Sequence, residues 1–170
     1  MGLPRKLKNM MIFNAGAAYI GEANSFTQPK LTRKFEEYRG AGMDVGVKLD
    51  MGGEPLEVEF TCAGPMRDVL RQYGAVGVAD VQLRFVGAYQ NDDAGSVDNI
   101  EIVVRGRHEE IDLGESKPGE GGEMKVKTAV SYYKLDWNGV TEIEIDALGM
   151  VMIVGGVDRF AEIRAALGIF

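Results

Sequence analysis

Most of the chain alternates between apolar and polar residues with period two, the mark of strands with one face turned to a core. In "LEVEF", Leu56, Val58 and Phe60 point one way and Glu57 and Glu59 the other. "VQLRFVGAY" aligns Val81, Leu83, Phe85 and Tyr89, and "IEIVVR" aligns Ile100, Ile102 and Val104. "KVKTAVSYYKLDWNGVTEIEID" predicts a hairpin closed by Asn138-Gly139, the residue pair that best tolerates two successive positive φ angles. A second hairpin is predicted in "FNAGAAYI", turning at Asn14 to Gly16. Two segments carry the helical period instead. "GPMRDVLRQYG" puts Met66, Val69, Leu70 and Tyr73 on one stripe, with Pro65 at the first helical position and Gly74 as the stop. "VDRFAEIRAALG" has Asp158 as N-cap, Gly168 as stop, and Phe160, Ile163 and Leu167 as its buried face.

The stretch "LTRKFEEYRGAGMDVGVKLDMGG", Leu31 to Gly53, does not fit a compact domain. It starts as a strand, with Leu31, Arg33, Phe35 and Glu37 on one side and Thr32, Lys34, Glu36 and Tyr38 on the other. Glycines 40, 42, 46, 52 and 53 then interleave with Met43, Val45, Val47, Leu49 and Met51. An exposed strand pair with Phe35, Tyr38, Met43, Val47 and Met51 on it is an aggregation hazard. Either it folds over its own core or it docks on another copy. Its apolar alternation, kept up beyond the length of a common turn, favours docking on a neighbour.

With 170 residues, 45% of them hydrophobic, the chain suits one domain, 1–170, with a real core. Its 23 glycines are about twice ordinary usage and fit many short strands and turns. "GESKPGEGGE", Gly114 to Glu123, is the clearest loop. The reading is mainly β: an antiparallel sandwich or barrel with two short helices. A net charge of −7 argues against a sequence-specific DNA binder, which needs a basic face. The apolar run Met10 to Phe13 is shorter than the ~7–15 residues of a secretory core, and nothing approaches the ~18 of a membrane span. A cytoplasmic protein without a membrane anchor is expected.

Candidate chemistry is sparse. "GAGMDVG" begins like a dinucleotide fingerprint, but Val45 occupies the third glycine position and the βαβ context is missing. "NDDAGSVDN" lacks the spacing of a calcium loop and reads as a solvated turn. His108, the only histidine, is expected at the surface or an interface, and the single Cys62 as a buried small hydrophobe. Glu109 and Glu110 are adjacent and point to opposite faces of a strand. No catalytic constellation, metal site or cofactor site is predicted. The rows Glu57, Glu59 and Glu142, Glu144, Asp146 are either a solvated sheet face or one side of a continuous acidic surface. Like charges on neighbouring strands cost stability, so keeping them hints at a use.

Four runs carry a family resemblance: "LPRKLKNMMIFNAG", "SFTQPKLTRKFEEYRGAGMDVGVKLDMG", "AVSYYKLDWNGVTEIEIDALGMV" and "GGVDRFAEIRAALGI". Over essentially its whole length the chain resembles the major tail tube proteins of contractile-tailed bacteriophages, a family that includes the tube protein of R-type bacteriocins. It departs from the family pattern at Ala15, where an acidic residue often precedes the hairpin glycine, and at Ala41, where a glycine pair precedes the methionine. The resemblance implies a sandwich or half-barrel like the tube component of type VI secretion, closing into one large barrel in a hexameric ring. Rings would stack into a tube inside a contractile sheath, with baseplate and tail terminator proteins as further partners. Tape measure protein and DNA would occupy the lumen in passing. Such a protein is assembled in the bacterial host cytoplasm and ends in the virion tail. By position, Leu31–Gly53 would be the arm between rings, contacting neighbours through Leu31, Phe35, Tyr38, Arg39, Gly40, Gly42, Met43, Val47 and Met51. Six chains would carry about −40 per ring, so Glu57, Glu59, Glu142, Glu144 and Asp146 are candidates to line the lumen. A genome-free bacteriocin tube is the near alternative. A monomeric β-sandwich binding module is the distant one, and an enzyme more distant still.

Overall fold

A computed structural model describes residues 2–19 and 21–169. Twelve strands and two helices follow one another along the described chain: β1 (Arg5–Asn14), β2 (Ala17–Ala18), β3 (Ala23–Thr27), β4 (Arg33–Tyr38), β5 (Val47–Gly53), β6 (Leu56–Cys62), α1 (Arg67–Arg71), β7 (Val81–Asn91), β8 (Val97–Asp112), β9 (Met124–Trp137), β10 (Val140–Asp146), β11 (Val151–Val154), β12 (Val157–Asp158) and α2 (Ala161–Ala166). Ten strands form one antiparallel sheet in the order β12-β11-β10-β9-β8-β7-β1-β2, with β6 branching from β9 and β3 from β6. The other two, β4 and β5, pair with each other in a separate sheet.

The branch at β9 curls the sheet. Along one edge, β9 pairs first with β6, from Met124 to Val130, and then with β10, from Tyr132 to Trp137. Ser131 is the extra residue at the changeover, because Arg105 pairs with Tyr132 and Gly106 with Val130. A bulge of this kind bends a strand and increases its twist. The chains approach closely there: a Cβ on Gly106 would stand 1.8 Å from the Ala129 carbonyl oxygen, so only glycine fits. The Ser131 hydroxyl ties the bend down by donating to the Val78 carbonyl at 2.9 Å. Strands β3 and β7 are four steps apart in hydrogen-bonded order, yet Phe26 and Phe85 stack with ring centroids 4.7 Å apart. The sheet has therefore folded back over itself as a half-barrel.

The core lies inside that curl. Ile12, Val58, Phe60, Leu83, Phe85, Ile102, Val104 and Val126 are among its buried apolar residues, as the alternation requires. Cys62 is buried among them, and that burial pushes its thiol up to about 11. Asn138 (φ 49°) and Gly139 (φ 81°) close the β9–β10 hairpin as predicted. The first hairpin turns at Ala15 (φ 49°) and Gly16 (φ 90°); the Ile20 end of its predicted span lies outside the described residues. Residues 113–123 form the predicted loop.

Three local expectations fail. The first helix is only the five residues of α1, opening at Met66 rather than Pro65. Of its predicted stripe, Val69 is buried and Met66 packs on the core, but Leu70 and Tyr73 are exposed, because the helix ends before a second turn can reach the sheet. In α2 the N-cap is Phe160. Asp158 lies two residues earlier, where its carboxylate accepts the Phe160 N–H at 3.0 Å and pairs with Arg164. The stop at Gly168 holds, with φ 75°. The predicted buried face of α2 is open: Ile163 and Leu167 are exposed.

His108 is the third. It is buried, not superficial, because its strand β8 directs it inward beside Phe60. Asn14 and Gln72 exchange two side-chain hydrogen bonds, of 2.7 and 2.8 Å. The Gln72 Oε1 also stands 2.9 Å from His108 Nε2, and a carbonyl oxygen only accepts, so Nε2 carries the proton. His108 Nδ1 then accepts from the Thr128 hydroxyl at 2.9 Å. Burial drives the imidazole down to about 4, so it is neutral at ordinary pH. These bonds fasten the end of α1 to the sheet.

Candidate functional site: a detached arm and the surface beside it

The arm is a hairpin of two strands joined by the eight-residue loop 39–46. Tyr38 pairs with Val47 at the distal end and Arg33 with Gly53 at the root. Between Arg33 and Phe35, β5 carries one residue more than β4, and Gly52 (φ 115°) takes up the bulge. Arg33 clasps the two strands. Its Nε donates to Asp50 at 2.9 Å, its Nη2 does so at 2.9 Å, and its Nη1 reaches Met152 Sδ on the body at 3.6 Å. The Arg33 hydrogen bonds, helped by the Gly52 N–H, hold the Asp50 carboxyl below its ordinary value. At the root, the Glu54 N–H donates to the Thr32 carbonyl at 2.8 Å.

Every large apolar side chain predicted along the two strands is open to solvent. Phe35 is 54% exposed, Tyr38 53%, Val47 46%, Leu49 46% and Met51 55%, with Leu31 alike at the root. In the loop, Arg39 donates to the Met43 carbonyl at 3.1 Å, the Gly40 N–H approaches Met43 Sδ at 3.1 Å, and Gly42 turns the chain at φ 83°. Met43 is half-buried by these contacts, while Val45 at the tip is 74% exposed. The arm thus keeps its fold through backbone pairing and one clasp, with its apolar surface unspent.

The two acidic rows do not lie side by side. Strands β6 and β10 follow each other along the same edge of β9, so Glu57 and Glu59 flank its first half and Glu144 and Asp146 its second. Glu142 sits at the irregularity between Thr141 and Ile143. Lysines of β9 interrupt the rows. Glu57 pairs with Lys127 at 3.4 Å, Glu59 is in register with Lys127, and Glu144 is in register with Lys134. Glu109 and Glu57 together raise the Lys127 ammonium above its ordinary value. Glu144 also accepts from the Tyr132 hydroxyl at 3.2 Å.

A third feature was not read from the sequence. Where β6 begins and β10 ends, opposite Ser131, an apolar groove of about 570 Å³ opens at the root of the arm, lined by Leu31, Pro55, Leu56, Ile143, Met152 and Phe160 among others. The Phe160 wall leads on to the exposed face of α2. A helical or alternating pattern looks the same whether its cover is the same chain or another, so the pattern gave no sign of the gap. Among the described residues, no group of three or more His, Cys, Asp or Glu side chains is placed to hold a metal, and no helix is long and apolar enough to cross a membrane.

Known proteins resemble this chain in both sequence and fold. The chain is 44% identical to the tail tube protein of Escherichia phage P2, across 99% of this chain and 100% of that one. It is 33% identical to the major tail tube protein of Serratia phage KSP20, across 99% of each. In fold it is similar to the tube terminating cap of the anti-feeding prophage (TM-score 0.60, 8% identity, 80% of this chain and 93% of that one). It is also similar to a chain of the sheath–tube complex of the PVC extracellular contractile injection system (TM-score 0.59, 10% identity, 78% and 91%). The model of the family described as phage tail tube protein FII matches residues 4–168, so the chain belongs to that family of tail tube proteins.

Proposed function

We propose that this protein is the structural subunit of the inner tube of a contractile phage tail. Copies join into six-membered rings, and the rings stack into a hollow conduit inside the sheath, ending at baseplate and terminator. Contraction drives the conduit through the host envelope, and the genome follows down its bore. The observation that carries this reading is the arm: a paired, clasped hairpin that leaves Phe35, Tyr38, Val47, Leu49 and Met51 half exposed, whereas the curled sheet buries Val58, Phe60, Leu83 and Phe85 on its inner face. Such a surface is tolerable when identical companions cover it. The relatives named as tail tube proteins, matched from end to end, support the same reading.

Stiffness follows from the proposed assembly. Backbone hydrogen bonds between paired strands contribute about 0.5–1.5 kcal/mol each, and docked arms add about 25 cal/mol per Å² of apolar surface buried. No cofactor enters this function. Within a ring the acids Glu57, Glu59, Glu142, Glu144 and Asp146 face the bore and keep a polyanion moving. Reversal of Glu57 and Glu59 to lysine is then expected to slow DNA passage while tubes still assemble; normal ejection would remove these residues from the bore. The whole reading is tested by negative-stain microscopy of the purified protein over a concentration series. Rings or hollow rods are expected. A monomer at every concentration, also after addition of baseplate, would overturn it.

A further inference from the structure

We propose that the groove at the root of the arm is the socket for the arm tip of a second copy of this chain. The proposal rests on the tube reading and adds to it where the arm lands. The groove is apolar and open, and it exists because β9 passes from β6 to β10 at Ser131 and leaves a gap between their ends.

Its own arm cannot fill it. Leu31 and Gly53 at the arm's root line the groove, and β4 leads away from it for six residues, about 20 Å at the rise of a strand. Residues of the loop 39–46 reach that groove only if the β4–β5 pairing is broken. The occupant is therefore another molecule, and a tube family supplies one: an identical chain with a free tip.

Tip and socket suit each other. The tip is slender, with glycines at 40, 42 and 46, and it presents Val45 and part of Met43. On the groove's lip, Glu54 and Asp146 take part in no ion pair among the described residues. At the tip, Arg39 has only the Met43 carbonyl as a partner among the described residues. Insertion would bring that cation to those carboxylates. This would revise the bore assignment above for one residue: Asp146 moves to the subunit contact, and Glu57, Glu59, Glu142 and Glu144 keep the bore. Tip into socket is a contact between unlike surfaces, so each copy offers one of each, and the series passes beyond a dimer, either closing into a ring or running on from ring to ring.

Cross-linking tests the placement. Val45→Cys and Ala147→Cys put one thiol at the tip and one on the exposed lip of the socket. Cys62, buried and with its thiol pushed up to about 11, does not compete. Oxidation of the assembled double variant is expected to give a disulfide ladder beyond the dimer on a non-reducing gel, with neither single variant doing so. Rods whose chains stay monomeric on that gel, or stop at dimers, would overturn the socket while leaving the tube reading intact. Ala147→Trp supplies a second route that does not need the cross-link to form. It fills an exposed lip, so circular dichroism should be unchanged, while the concentration needed for assembly should rise at least tenfold. Assembly at the wild-type concentration would also overturn the socket. Absence of rings and rods from the wild-type protein itself would overturn the tube reading, and this proposal with it.

Discussion

Strands β6 and β5 carry much the same alternation and meet opposite fates. In β6, Val58 and Phe60 are buried, because β3 and β9 flank the strand and the curled sheet supplies a layer facing it. In β5, Val47, Leu49 and Met51 stay half exposed, because β4 is their partner and no second layer covers them. A two-stranded ribbon alone is marginally stable in water. The arm persists through its backbone pairing, the Arg33–Asp50 clasp and the tie from Thr32 to Glu54. Alternation therefore reports that a segment is a strand with one apolar face, but not which molecule covers that face. Over the inner face of the body's sheet the cover is the chain itself; over the arm the same chain supplies none.

The sharpest way to break this contrast is to truncate one aromatic in each region. Phe60→Ala removes a fully buried ring and should cost about 3–5 kcal/mol, enough to unfold much of the protein at moderate temperature. Phe35→Ala removes an exposed one and should change the unfolding midpoint of the subunit within about 0.5 kcal/mol, yet suppress rods in the microscope. Equal losses of stability in urea titrations would mean that the arm packs on the body of its own subunit.

Acid should then divide the two regions. The unfolded His108 imidazole takes up its proton near its ordinary 6.5, while the folded one waits until about 4. The unfolded state thus binds more protons between those values, so the body loses stability as pH falls from 6.5 toward 4, by about 3 kcal/mol in all. Above 6.5 the group contributes no slope, and below 4 its effect is complete. The arm's Asp50 behaves otherwise. Its folded carboxyl is held below the ordinary 3.8, so the clasp survives until the pH has fallen further. His108→Gln, which keeps neutral hydrogen-bonding groups beside Gln72 and Thr128, should flatten the dependence of the urea midpoint between pH 6.5 and 4.5. An unchanged slope would place the proton uptake elsewhere.

The sequence made the strands legible because a curled antiparallel sheet needs period two on each inner face, and the Asn138-Gly139 turn because both residues take positive φ at little cost. It also made the arm legible, since an apolar alternation running into so many glycines suits no ordinary loop. It concealed what depends on distant chain. His108 sits among charges in "RGRHEE", but the groups that satisfy it, Gln72 and Thr128, come from α1's end and β9. Leu70 and Tyr73 keep helical spacing although α1 stops too soon to bury them. The groove depends on where β6 and β10 each stop along β9, which is set by the Ser131 bulge and not by the composition of either strand. The acidic rows could be placed on strands but not on a bore, because that takes the other subunits.

The finest test concerns the clasp. Asp50→Asn keeps the side chain's shape and its acceptor oxygen but removes the charge that meets Arg33 on both Nε and Nη2. The pair is partly exposed and solvent screens it, so the body should keep its unfolding midpoint. The arm has little else to hold it, so its amides from Phe35 to Tyr38 and from Val47 to Leu49 should exchange with solvent a few-fold faster, while those of β7 and β8 keep their protection. If body and arm amides speed up together, the two regions open as one cooperative unit, and the arm is part of the subunit's own fold. If the arm alone responds, it is an independently opening element, held in shape by a local ion pair and not by the packing of the body.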